Sequence, residues 1–322
     1  MSTVSFFATV QDGIQLVEKR MRAQADEKTH PDLSAALDHL LESGGKRIRP
    51  ALGLLIGNML AAPQDKLVTL GAAVELLHTA TLVHDDLIDG SLLRRGTPTL
   101  NARWSPAATV LTGDFLFARA AKLAAEADHL LLMKLFADTL AVIVNGELTQ
   151  LFAARGSISR ENYYQRIYAK TASLFEMSAR AAAMVSPAEE DVIEAIRLFG
   201  CEIGMAFQIM DDVLDFAGDP AAIGKPVGSD LLQGLVTLPA LYYLENHPED
   251  DDVRLLKDGG WGNRERMERL IQSIRASGAI QQAVSEARER VERGLALIEP
   301  FHPSLEKSAL GELALYIVDR NF

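Results

Sequence analysis

Residues 66–90 read KLVTLGAAVELLHTATLVHDDLIDG, and their reading decides the class of fold. Val74, Leu77, His78 and Leu82 stand at i, i+3, i+4 and i+8, the period of a helix with a buried face rather than the two-residue period of a strand. The stretch closes on Asp85, Asp86 and Asp89, and then on Gly90. Glycine takes the left-handed turn that ends a helix at least cost, so these carboxylates belong to a last helical turn.

Outward from this stretch the same period returns at Leu52, Leu55, Ile56 and Met59, and again at Leu132, Leu135, Phe136 and Leu140. Few segments alternate as strands do. The spacing predicts helices near 5–28, 31–43, 48–62, 66–89, 106–126, 129–153, 160–184, 187–217, 236–245, 263–275, 277–297 and 302–319. Ser186-Pro187-Ala188-Glu189-Glu190 sets a serine cap, a proline at the first helical position and acid in the first turn; 247–252, HPEDDD, repeats that arrangement. Segment 218–230, GDPAAIGKPVGSD, reads as a loop. Without a Gly/Ser-rich linker or a 20–50-residue repeat, one all-α domain over residues 1–322 is expected.

Composition narrows the function. The chain carries 44 acidic and 32 basic residues, a formal charge of −12, which argues against nucleic acid as partner because such binders display basic surface. A single cysteine, Cys201, forms no internal disulfide and reads as a small buried hydrophobe in a reducing compartment. The opening MSTVSFFATVQDGIQLVEKR lacks the basic start of a secretory signal, and no apolar run of about 18 residues is free of charge. A cytoplasmic protein without a membrane span is the expectation.

Asp85-Asp86-Leu87-Ile88-Asp89 recurs as Asp211-Asp212-Val213-Leu214-Asp215. With 22 aspartates in 322 residues, chance gives only about 0.1 copies of this pattern, so two copies call for a cause. In a helix the first and last aspartates of each cluster share a face. Each cluster also ends its apolar run before Gly90 or Gly218, where the helix dipole is already negative. Such frustration is relieved by a bound cation, and a carboxylate-only donor set favours Mg²⁺ over Ca²⁺ or Zn²⁺. Magnesium is usually shared between a few carboxylates, waters and substrate phosphates, which points to a phosphorylated substrate. Arg94 and Arg95 follow the first cluster, Lys225 follows the second, and 44-GGKRIRP-50 offers Lys46, Arg47 and Arg49 as a further anion site.

Together these residues resemble the trans polyprenyl diphosphate synthases. The match runs in order through GGKRIRP at 44–50, ELLHTATLVHDDLIDGSLLRRGTPT at 75–99, GDFLFARA at 113–120, GELTQ at 146–150, KTASLF at 170–175, FQIMDDVLDFAGD at 207–219, GKPVGSDL at 224–231 and TLP at 237–239. The resemblance implies an isoprenoid-synthase-type helical bundle around a central cavity, and a prenyltransferase that joins isopentenyl diphosphate to an allylic diphosphate. It implies about three Mg²⁺ ions bridging Asp85, Asp89 and Asp211 to the allylic diphosphate, with Asp86, Asp212 and Asp215 completing the motifs. Arg94, Lys170, Thr171, Gln208 and Lys225 would grip the allylic diphosphate; Lys46, Arg49, His78 and Arg95 would hold isopentenyl diphosphate. A homodimer is implied as well.

Two positions depart from the family's pattern. Leu235 in 234-GLVT-237 stands where many relatives have lysine, and the chain ends 318-VDRNF-322, with Arg320 kept but Phe322 last. Product length is implied by Ala80 and Thr81, which face the growing chain in this family. Neither is bulky, so the cavity is expected to continue along the helix toward Leu77 and Val74, with a floor from another helix, at Phe115, Leu116 or a neighbour. One helical turn rises about 5.4 Å, close to one isoprene unit, so a product longer than farnesyl is expected, C25–C40 or beyond. The alternatives are a short-chain farnesyl or geranylgeranyl synthase, a terpene cyclase or head-to-head coupling enzyme, and a non-catalytic subunit. GGKRIRP argues against a cyclase, which has no second diphosphate to hold, and two intact aspartate motifs argue against a non-catalytic subunit.

Overall fold

The structure is a computed structural model that describes residues 5–25, 31–42, 44–94, 96–152, 158–217 and 227–319. Its helices are α1 (Ser5–Arg22), α2 (Pro31–Glu42), α3 (Ile48–Met59), α4 (Gln64–Ile88), α5 (Leu100–Arg103), α6 (Pro106–Glu126), α7 (Leu130–Phe152), α8 (Arg160–Ile167), α9 (Ser173–Met184) and α10 (Glu190–Ala217). Then come α11 (Ser229–Leu232), α12 (Leu238–Asn246), α13 (Asp251–Lys257), α14 (Arg264–Ala276), α15 (Ala279–Ile298) and α16 (Leu305–Val318). The only strands among the described residues are β1 (Leu93–Arg94) and β2 (Thr97–Pro98), paired antiparallel with Arg94 opposite Thr97. The all-α expectation is met.

The chain divides into two compact units: Met1–Thr139 with Leu174–Arg197 and Pro300–Leu313, and Leu140–Ser173 with Leu198–Glu299 and Ala314–Phe322. In the first, α4 is the central element, with α1, α3 and α6 packed on it. Leu70, Gly71, Ala72, Ala73 and Val74 are buried in sequence, so this helix is covered round most of its girth, not on one stripe. It is also the one described helix long and apolar enough to cross a membrane, but 67% of its apolar window is buried within the protein. A Cβ on Gly57 would stand 2.2 Å from Leu67 Cδ2, so only glycine lets α3 come this close to α4. In the second unit α12 packs on α8, α14 and α15, and α14 on α11, α13 and α15. Arg160 on α8 forks onto Glu245 of α12 at 2.7 and 2.8 Å, while Tyr164 and Tyr242 both donate to Glu286 of α15.

Gly90 closes α4 as expected. It adopts φ 63°, its N–H donates to the Leu87 carbonyl, and Ser91 N–H donates back to Asp86, a pairing that satisfies two otherwise orphaned carbonyls. Other expectations are corrected. The predicted helix over 160–184 is interrupted by a π-helical turn, Tyr168–Ala172, which no apolar period signals. The helix expected from 187 begins at Glu190, because Ser186 does not cap it: its hydroxyl donates to the Ala183 carbonyl and accepts from Ala188 N–H, closing a local turn instead. The acid run at 247–252 starts a helix later than expected: Pro248 lies in a turn, and α13 begins at Asp251 with Asp250 as cap, its carboxylate accepting from Asp252 and Val253 N–H. Cys201 is partly exposed rather than buried. Within the expected loop, residues 218–226 lie outside the described residues, and α11 begins at 229.

Candidate active site

The two aspartate motifs bury the same middle position. Asp86 and Asp212, the middle residues, are 6% and 4% exposed; Asp85, Asp211 and Asp215 are partly exposed and Asp89 is exposed. In the first motif Arg94 returns from the β-ribbon to grip Asp86, with Nε 2.9 Å from Oδ1 and 3.1 Å from Oδ2 and Nη2 2.9 Å from Oδ1. Gly96, at φ 76°, turns this ribbon, and Thr99 ties its end by donating to the Ser91 carbonyl. Arg95 lies outside the described residues, as do Lys225, Arg320 and Phe322.

In the second motif Asp212 accepts from the Tyr163 hydroxyl at 2.7 Å and from Gln208 Nε2 at 2.8 Å. Burial, then the charge of Asp230, push its carboxyl up to about 7 against the pull of those donors and of Arg166. Thr171 donates to Gln208 Oε1 at 2.6 Å, so Thr171 and Gln208 are brought together as one unit. Asp215 is used differently: its carboxylate accepts from Ser229 N–H, Ser229 Oγ and Asp230 N–H, and its carbonyl from Gly228 N–H. It fastens the start of α11.

The π-turn places Lys170 and Thr171 side by side. Lys170 Nζ pairs with Glu147 Oε1 at 3.0 Å, and a Cβ on Gly146 would meet Ala169 Cβ at 2.5 Å. GELTQ, which the sequence leaves without a role, is therefore the seat of the π-turn. GDFLFARA is likewise explained: a Cβ on Gly113 would meet His84 Nε2 at 2.2 Å, and Asp114 lies 3.6 Å from that nitrogen. Neither role is legible from spacing.

The basic segment splits in two. Arg47 is 9% exposed, holds φ 46°, and gives Nε to Glu18, Nη1 to Glu75 and Nη2 to the Leu41 carbonyl. Its charge is spent inside the protein, so the sequence's third candidate in this anion site is structural. Lys46 remains exposed; Arg49 is partly exposed, with Cζ 4.7 Å from the centre of the Phe175 ring and its carbonyl accepting from Ser178. His78 is partly exposed on α4, and its carbonyl accepts from Thr81.

Ala80 and Leu77 are 0% exposed and Val74 is buried. Val74 lines a small apolar crevice with Ala124, Leu132, Phe136, Met177 and Ala181, which Ala80 and Leu77 do not reach. Phe115 and Leu116, suggested by the sequence as a floor, do not line it.

The model of the family described as polyprenyl synthetase matches residues 30–277. This chain belongs to that family. The octaprenyl diphosphate synthase of Haemophilus influenzae is 37% identical over 88% of this chain and 87% of its own length. Component 2 of the heptaprenyl diphosphate synthase of Geobacillus stearothermophilus is 35% identical over all of both chains. The crystal structure of a polyprenyl synthase from Caulobacter crescentus, complexed with calcium and isoprenyl diphosphate, superposes with a TM-score of 0.89 at 32% identity, covering 99% of this chain and 98% of that one. The polyprenyl synthetase reading makes the chain a prenyltransferase, and its helices an isoprenoid synthase fold.

Among the described residues no three His, Cys, Asp or Glu side chains converge to hold a metal by themselves. The donor set nevertheless suits a hard cation shared with phosphate oxygens: solvent-accessible carboxylates one helical turn apart, with the middle aspartate already engaged by the protein.

Proposed function

We propose that this polyprenyl synthetase condenses isopentenyl diphosphate head-to-tail with an allylic diphosphate and yields an (E)-polyprenyl diphosphate longer than farnesyl, C25–C40. The observation that carries this reading is the repeated motif geometry. In both motifs the middle aspartate is buried and engaged by donors of the protein, and the outer positions are turned to the more exposed side. Asp85, Asp89 and Asp211 are the proposed Mg²⁺ ligands, about three ions being bound with substrate. A divalent cation and a prenyl diphosphate are named together in the Caulobacter relative, which supports the assignment.

The metal would supply positive charge to diphosphate oxygens as the allylic C–O bond breaks, and this charge counts for more in the transition state than in the ground state. Arg94, Lys170, Thr171, Gln208 and Lys225 are proposed to hold that diphosphate, and Lys46, Arg49, His78 and Arg95 the isopentenyl one. Orientation does the rest: the double bond of isopentenyl diphosphate attacks the allylic carbon, a proton leaves to the departing diphosphate, and the chain grows by five carbons. No side-chain nucleophile is required.

Length follows from α4. With Ala80 small and buried, the growing chain is proposed to run along α4 toward Leu77 and Val74. Relatives named octaprenyl and heptaprenyl synthases support that range. We propose a homodimer as the working assembly. Purified chain supplied with isopentenyl diphosphate, geranyl, farnesyl or geranylgeranyl diphosphate and Mg²⁺ should make products of C25–C40; a C15 product or none from the chain alone would refute the reading.

A further inference from the structure

We propose that Tyr163 is a positioning residue for prenyl transfer: acting through Asp212, it fixes the direction in which the Gln208 amide faces, and with it the polar atoms that the second motif offers a substrate. The inference rests on the prenyl-transfer reading above.

Tyr163 is 1% exposed on α8 and outside every motif that the sequence singles out. Its hydroxyl donates to Asp212 Oδ2 at 2.7 Å, Gln208 Nε2 donates to Oδ1 at 2.8 Å, and Gln208 Oε1 accepts from Thr171 at 2.6 Å. The chain of donors has one consistent direction. With Oδ2 held by the phenol hydroxyl, Oδ1 takes its N–H from the residue one helical turn before it. The amide is then obliged to turn its oxygen to Thr171, and its second N–H is the one left over. A flipped amide would set Oε1 against Oδ1, acceptor against acceptor.

The phenol is itself held. Arg166, three residues on, has its guanidinium carbon 5.5 Å from the ring centre and donates Nη2 to the Val236 carbonyl at 2.7 Å. Without the hydroxyl, the buried Asp212 lacks a donor on one oxygen and turns to find another, which frees Gln208 to rotate. The effect should fall on the allylic substrate, to whose diphosphate Gln208 and Thr171 are assigned, and spare isopentenyl diphosphate.

Steady-state kinetics of the full-length wild type, Tyr163→Phe, Gln208→Ala and the double variant test this, with farnesyl and isopentenyl diphosphates varied separately. Tyr163→Phe should raise the allylic KM about tenfold and leave the isopentenyl KM within about twofold. The double variant should be no worse than Gln208→Ala alone, because both changes act through one amide. Equal changes in both KM values, additive losses, or a lowered Tm with unchanged KM would overturn the proposal. If Tyr163→Phe does not fold, Thr171→Val removes the other end of the chain and must give the same allylic-only signature, or the proposal fails. A wild type that makes no prenyl diphosphate would overturn the functional reading and this inference with it, whereas an active wild type with a uniform loss in the variants overturns the inference alone.

Discussion

Arg94 grips Asp86 from eight residues away, its Nε bonded to both carboxylate oxygens at 2.9 and 3.1 Å across the turn that ends α4. A cation that sequence spacing offers to substrate is thus also the clamp that shapes the first motif. The pair divides labour within D-D-x-x-D: Asp86 holds the loop, and Asp85 and Asp89 remain on the more exposed side.

That division predicts unequal losses. Asp85→Ala should lower kcat by about 10³-fold or more with an unchanged circular dichroism spectrum, since it removes a proposed metal ligand. Asp86→Asn, which keeps an acceptor for Arg94, should cost about tenfold. Steady-state assays over a Mg²⁺ series check both; equal losses would refute the division.

Removal of divalent cation should abolish turnover without unfolding the protein. Excess EDTA is expected to bring product below detection and leave the helical spectrum intact, with Mg²⁺ restoring activity. Residual turnover in EDTA, measured with radiolabelled isopentenyl diphosphate, would count against the metal assignment.

Product length should respond to bulk on α4 and beside it. Ala80→Tyr puts an aromatic ring at a buried position on α4 and should shorten the product by several isoprene units. Phe136→Ala enlarges the crevice beside Val74 and should lengthen the product by about one unit or more, at a stability cost of about 3 kcal/mol for the cavity created. Chromatography of dephosphorylated products reads both changes.

Lys46 and Arg47, adjacent in sequence, should behave oppositely. Arg47→Met leaves Glu75, itself 4% exposed, buried without its charge partner, and should cost about 3–5 kcal/mol in urea denaturation. Lys46→Met should leave stability within about 0.5 kcal/mol and raise the KM for isopentenyl diphosphate.

Acid should weaken the α13 cap. Burial would raise the Asp250 carboxyl, but the Tyr243 hydroxyl and the N–H groups of Asp252 and Val253 draw it below the ordinary value on balance. With the folded pKa below the unfolded one, the unfolded chain takes up the proton first. The contribution is therefore present above about pH 4 and lost as pH falls through the folded value. Melting temperatures should fall below about pH 4, and Asp250→Asn, which keeps a cap acceptor but does not titrate there, should show a shallower fall.

The sequence by itself determined the helical class, the end of α4 at Gly90 and the family, because these depend on period, turn chemistry and ordered motifs, all local in the chain. It also determined that clustered carboxylates at helix ends require a counter-charge. Only the tertiary structure decided which members of each motif are spent inside the protein. Arg47 reads as equal to Lys46 until Glu18 and Glu75, 29 and 28 residues away, take its charge. Tyr163 reads as an ordinary helix residue until Asp212, 49 residues on, receives its hydroxyl. The π-turn under Lys170 and Thr171 has no signature in the apolar period, and Gly146 makes room beside it only once α7 lies against that turn. Hydrogen bonds and ion pairs act over about 3 Å of space whatever the separation along the chain, so the partner of a buried charge is decided by packing.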